Sequence, residues 1–205
     1  MFHSMTPVVR ALLYLNLIAY GLEWLTGDGL LAVFALWPID AHAAVGAPRF
    51  EPWQLITYGF LHDPENPMHL LGNMFALYMF GPEIERVLAP RRFTLYYLAC
   101  VIGAGLTQLW VAHATRAPYE TIGASGAIFG LLLFYGVTFP QRRLVVLPIP
   151  VPLPAWLFVT LYTILELYLG VSGRMQGVAH FAHIGGAATG LLFMWYWRAQ
   201  RVAGR

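Results

Sequence analysis

Residues 123–130 read GASGAIFG inside a long apolar run, and a serine framed by glycines there needs a reason. A serine hydroxyl is a weak nucleophile until a neighbouring base takes its proton. His183, in AHIGG at 182–186, is the best candidate base in the chain. His69 and Asn73, in HLLGNM at 69–74, stand four apart and share one helix face. Acyl transfer needs donors where negative charge develops on oxygen. The His69 and Asn73 side chains, with the Ser125 backbone N–H at a helix start, make a credible donor set. Phe129 lies one turn below Ser125, placed to pack against the imidazole. No acidic third member is evident: Asp63 and Glu65 fall in a loop, without the spacing of a triad element. A serine–histidine dyad is the economical reading.

The elements that must position these groups are membrane spans. Of the 205 residues 59% are hydrophobic and 11% charged, and the mean hydropathy is +0.61. A soluble domain needs more charge to cover its surface. An all-α integral membrane protein of one domain, 1–205, is expected, with the lipid bilayer as its surroundings. The twelve basic residues are all arginine and the net charge is +2, which argues for neither a nucleic-acid partner nor an acidic substrate. The single cysteine, Cys100, sits in an apolar segment and reads as packing.

A helix needs roughly 20 apolar residues to cross a bilayer. Six stretches qualify, at about 7–25, 69–88, 93–112, 123–139, 153–170 and 178–198. The first is read as a retained span, because no small-x-small cleavage site closes it. The long loop from Thr26 to Met68 holds apolar pieces broken by Pro38, Pro48 and Pro52, which suit half-embedded segments at the membrane surface. With the N-terminus inside, nine arginines fall on inner segments and three (Arg49, Arg116 and Arg174) on outer ones, so both termini are expected in the cytoplasm. His69, Asn73, Ser125 and His183 then lie on three inward-running spans at similar depth, near the outer side. Polar groups inside a membrane usually face a bundle interior or a wet cavity. The fourth span is short: Ser125 to Phe139 rises about 22 Å, against a hydrocarbon core of roughly 30 Å. Its outer end should stop below the surface, at the bottom of a depression open to water.

Packing supports the pairing of spans four and six. Gly126-x-x-x-Gly130 and Gly186-x-x-x-Gly190 are small-residue faces that let membrane helices approach backbone to backbone. Ser125 and His183 each lie just outward of such a motif. Taken singly, Ser125 reads as a helix-packing residue and His183 as an interior hydrogen-bonding histidine; together with His69 and Asn73 they read as a site. His180, one turn above His183, reads as lining the mouth. Glu166, costly against lipid, is expected to face the bundle or reach outward to water, without a functional role. His69, His180 and His183 make a weak metal set, since HExxH is missing and spacing fixes no carboxylate ligand. No metal and no cofactor are expected.

HLLGNM, GASGAIFG and AHIGG resemble the three signature motifs of rhomboid intramembrane serine proteases. PWQLITYGFLH before them resembles that family's first outer loop, and FGPEIE the end of its second helix. The resemblance covers most of the chain, in the family's order and spacing. It implies a six-helix bundle that cleaves single-span membrane proteins near the outer membrane boundary, with transmembrane proteins as substrates. It implies Ser125 as nucleophile, His183 as general base, and His69 and Asn73 as the oxyanion-stabilising pair. Gly123 matches the glycine two before the nucleophile, and Gly186 the glycine that lets helix six pack against helix four. Phe129 stands where some members have tyrosine, and Gln54 where some have arginine. The compact plan suggests a bacterial inner membrane; the oligomeric state is not legible. The alternative is a catalytically silent relative that binds transmembrane helices. A small-solute transporter is disfavoured, since no internal repeat is visible. The segment 171–177, VSGRMQG, is a candidate cap over the site.

Overall fold

The computed structural model describes residues 5–146, 149–173 and 179–203. In chain order the helices are α1 (Pro7–Thr26), α2 (Asp28–Phe34), α3 (Ala41–Val45), α4 (Gln54–Thr57) with a 3-10 turn (Tyr58–Phe60), α5 (Pro67–Leu88), α6 (Pro90–Thr115), α7 (Ser125–Thr138), α8 (Ala155–Ser172) and α9 (His180–Ala203). The chain is thus mostly helical, as its hydropathy pattern implies. Proline opens α1, α5 and α6, where its missing N–H costs nothing and its fixed φ suits the first turn. By length and apolarity α1, α6 and α8 can each cross a bilayer, and α7 is a shorter apolar helix. The candidate cap falls largely on 174–178, outside the described residues.

One element departs from an all-helical plan. Strands β1 (Arg143–Val146) and β2 (Ile149–Pro154) pair antiparallel, with Leu144 opposite Leu153. Pro150, Pro152 and Pro154 recur at every second position. Such spacing removes helical hydrogen bonds and holds each preceding residue extended.

The core is built around α7, which packs on α5, α6, α8 and α9. Every residue from Gly126 to Leu132 is buried, as befits a helix that is apolar all round. Its tightest contact is with α9: a Cβ on Gly186 would overlap the Gly126 carbonyl. Only glycine permits that approach, and it fixes α9 in depth against α7. Helix α6 joins them, with Cys100 against Gly130, Thr189 against Gly103 and Thr107 against Gly185.

The loop between α1 and α5 is stitched to the segment that leads into α7. Leu36 and Thr121 exchange backbone hydrogen bonds of 3.0 Å, and the Gly123 N–H donates to the Tyr58 carbonyl at 2.9 Å. The buried Tyr58 hydroxyl donates to the Val101 carbonyl at 2.7 Å. Gln54, 1% exposed, donates to the carbonyls of Val33 and Arg49. Its amide oxygen accepts from the N–H groups of Trp37 and Glu51. A neutral amide can do this where an all-donor guanidinium cannot, because it accepts as well as donates.

Candidate active site

Three helices begin and one ends at the same end of the bundle. Ser125 is the first residue of α7 and His183 lies in the first turn of α9. His69 and Asn73 occupy the first two turns of α5, and Glu166 sits in the last two turns of α8.

Ser125 Oγ is 2.7 Å from His183 Nε2. The serine is half-buried and the histidine 7% exposed. Phe129 lies flat on the His183 ring, with centroids 4.4 Å apart and planes 6° from parallel. Its other neighbour is Tyr162 of α8, at 4.8 Å. The imidazole is therefore held at one face by an aromatic and at its edge by the serine.

Gly123 has φ +118°, a region side chains avoid, and a Cβ there would come 2.6 Å from His69 Nε2. Two independent constraints thus demand glycine at this position. They also locate the His69 imidazole beside the backbone that leads into Ser125. The first N–H groups of α7 have no intrahelical acceptor, so the start of this helix presents donors on the same side.

Asn73 donates from Nδ2 to His62 Nε2 at 3.1 Å, and the His62 and His69 rings lie 5.0 Å apart. His62 is fully buried, and its backbone N–H donates to the Glu23 carboxylate of α1 at 3.1 Å. Burial pushes the His62 pKa down to about 3, with the neighbouring His69 imidazole as the second cause. His62 is thus a neutral acceptor that holds the Asn73 amide. It was not among the residues singled out from sequence; its place in FLH, just before HLLGNM, was the available signal.

Of the two outcomes expected for Glu166, the structure has it facing the bundle: it is 4% exposed. Its Oε2 accepts from His183 Nδ1 at 2.8 Å and from His180 Nδ1 at 2.7 Å. His180, read as lining the mouth, is 5% exposed. Composition carried the signal for burial but not for the partner: Glu166 is the one charged residue in the 18 residues of α8, and an intramembrane acid is rarely without a partner. Glu166, His180 and His183 also offer three ligand atoms within 4.8 Å of one another. Both Nδ1 atoms already share the carboxylate oxygen, however, so those two ligand atoms are engaged in hydrogen bonds.

The described residues thus form an apolar helical bundle with a serine–histidine contact at one end of its central helix. The rhomboid domain family matches residues 49–200. The chain belongs to the rhomboid family, which includes intramembrane serine proteases, and it is an integral membrane protein. It is 32% identical to the mitochondrial Rhomboid protein 1 of Saccharomyces cerevisiae over 62% of this chain and 37% of that protein. It is 34% identical to Rhomboid protease GluP of Bacillus subtilis over 68% of this chain and 25% of that protein. It is 22% identical to Rhomboid protease GlpG of Klebsiella pneumoniae over 92% of this chain and 62% of that protein. The chain thus spans between a quarter and three fifths of the length of these relatives.

Proposed function

We propose that the chain is a serine endopeptidase that cuts single-span membrane proteins near the outer membrane boundary. The observation that carries this reading is the 2.7 Å contact between Ser125 Oγ and His183 Nε2. As Oγ attacks a substrate peptide carbonyl carbon, the hydroxyl proton passes to His183 Nε2. The carbonyl oxygen becomes an oxyanion, stabilised by the His69 and Asn73 side chains and the Ser125 N–H. The imidazolium then gives its proton to the leaving amine, and an acyl ester remains on Ser125. His183 next takes a proton from water, the hydroxide attacks the ester, and the imidazolium gives that proton to the departing Ser125 Oγ as the acid product leaves.

A helical substrate carbonyl is already hydrogen-bonded and shielded, so the scissile segment must unwind. Segments with small or helix-breaking residues should therefore be cut preferentially. In this reading α1 and α5–α9 are six spans with both termini in the cytoplasm, supported by the nine-to-three arginine bias. A bacterial inner membrane fits the same plan.

The test is cleavage of a single-span substrate in proteoliposomes, together with covalent labelling by a fluorophosphonate. Cleavage and labelling are expected in the wild type. Ser125→Ala should lower the rate by on the order of 10³-fold or more and abolish labelling. Wild-type cleavage rates in Ser125→Ala would refute the reading.

A further inference from the structure

We infer that Glu166 is a positioning residue for the reaction, completing a Ser125–His183–Glu166 relay and setting which nitrogen of His183 carries the proton. The inference rests on the endopeptidase reading and adds to it a third member that a serine–histidine dyad lacks.

The argument starts from donor and acceptor arithmetic. An ionised carboxylate can only accept. His183 Nδ1 lies 2.8 Å from Glu166 Oε2, so that nitrogen must carry a hydrogen. A neutral imidazole has only one N–H, which leaves Nε2 with a bare lone pair. Nε2 is the nitrogen 2.7 Å from Ser125 Oγ. The carboxylate thus selects the tautomer in which Nε2 can accept the serine proton. The other tautomer would put a hydrogen between Nε2 and the hydroxyl and leave no base. When Nε2 does take the proton, the adjacent carboxylate stabilises the imidazolium that results.

Helix α8 is built to deliver this group. Tyr162, Glu166 and Gly170 stand four apart on one face. Tyr162 packs on Phe129, the ring that stacks on His183. Gly170 lets α9 come close, since a Cβ there would meet the His180 Cβ at 3.2 Å. Other α8 side chains, among them Leu161, Ile164, Leu165 and Leu167, are exposed and apolar. The single charged residue of the helix therefore faces the bundle at the level of His183.

His180 supplies the second donor to the same oxygen, at 2.7 Å. Its Nε2 is buried and has no hydrogen-bond partner among the described residues.

A tie between α8 and α9 alone would explain the same distances, so the test needs a readout that such a tie does not move. Nitrogen-15 NMR of histidine-labelled protein in nanodiscs reads the tautomer directly, with the His183 signals assigned from a His183→Asn sample. The wild type is expected to show neutral His183 with hydrogen on Nδ1. In Glu166→Gln the neutral amide no longer favours an imidazolium, and wherever its NH2 rather than its oxygen meets His183 Nδ1 that nitrogen must accept, so His183 should populate the Nε2–H tautomer more than in the wild type. In proteoliposomes this variant should lose on the order of 10²–10⁴-fold in kcat with KM within about twofold, as expected for a wrong tautomer. Glu166→Asp, which keeps the carboxylate, should recover part of the loss. The inference is overturned if wild-type His183 carries its hydrogen on Nε2, if Glu166→Gln keeps wild-type kcat, or if its activity falls only in proportion to the folded protein lost. Should the wild type neither cleave nor take a fluorophosphonate, the endopeptidase reading fails while the tautomer measurement still decides the placement of the proton.

Discussion

Two buried carboxylates mark opposite ends of the bundle, and their partners differ in kind. Glu85, 1% exposed, lies in the last turn of α5 and accepts from the first turn of α1. Its donors are the Thr6 hydroxyl and the N–H groups of Val8 and Val9. These are donors that do not titrate near neutral pH, and the two N–H groups are orphans of the kind every helix start must satisfy. Glu166, 4% exposed, accepts from two imidazoles, one of which also reaches the Ser125 hydroxyl. The same side chain at nearly the same burial is thus a clamp at one end and, in the proposed mechanism, a regulator of a base at the other. Burial alone does not separate structural from chemical carboxylates; what the partner itself touches does.

The largest effect should come from breaking the chemical end without touching the clamp. His183→Asn removes the proposed base and should reduce cleavage in proteoliposomes by on the order of 10³-fold or more. Fluorophosphonate labelling should be lost in parallel. Its melting temperature should stay much closer to the wild type than that of a Glu85 variant. A His183 variant that cleaves at the wild-type rate would erase the contrast between the two ends.

Breaking the clamp should give the reverse pattern. Glu85→Ala strands two backbone donors and a hydroxyl, at a cost of about 1–3 kcal/mol for the unsatisfied groups. For a domain of this size that corresponds to a drop of roughly 2–12 °C in melting temperature. The kcat of the protein that remains folded should be close to wild type. If kcat instead falls while stability holds, the two carboxylates are coupled and the comparison fails.

How much of this was legible in the sequence follows the same division. Ser125 and His183 could be read because each carries a glycine code beside it, and the close approach at Gly126 and Gly186 is a local property of two short motifs. The neutral acceptor His62 and the carboxylate Glu166 could not be placed the same way. Both reach the site through tertiary contacts, one from a loop pinned by Leu36, Thr121 and Glu23, the other from the far end of α8. Hydropathy says that Glu166 must avoid lipid, but not which neighbour receives it. The hairpin at 143–154 was legible in principle, since alternating prolines exclude helix; a reading by hydropathy alone passes over it.

A smaller effect tests how the base is held. The Phe129 ring stacks on His183 at 4.4 Å, and aromatic pairs of this kind are worth about 0.5–1.5 kcal/mol beyond their area. Phe129→Leu keeps the apolar volume and loses the stack. It should lower kcat by roughly 2- to 12-fold, the rate equivalent of that energy, with little change in KM. Phe129→Tyr keeps the ring and should stay near wild type. Equal losses in both variants would mean that packing volume, not the stacked ring, positions the imidazole.

The smallest effect concerns pH and separates the site's scaffold from its chemistry. His62 has its pKa lowered from 6.5 to about 3, chiefly by burial. In the unfolded chain it titrates at its ordinary value, so below about pH 6.5 the unfolded state binds a proton that the folded state refuses. The folded protein therefore has its full stability above that pH and loses it progressively as pH falls towards 3. Melting temperature measured from pH 7.5 down to pH 4.5 should decline on this account. His62→Gln, which retains an acceptor for the Asn73 amide without a titrating group, should flatten the decline. It should leave the pH dependence of cleavage largely in place, because His62 exchanges no proton in the proposed mechanism. If the variant keeps the acid-linked loss of stability, the His62 imidazole is not its source.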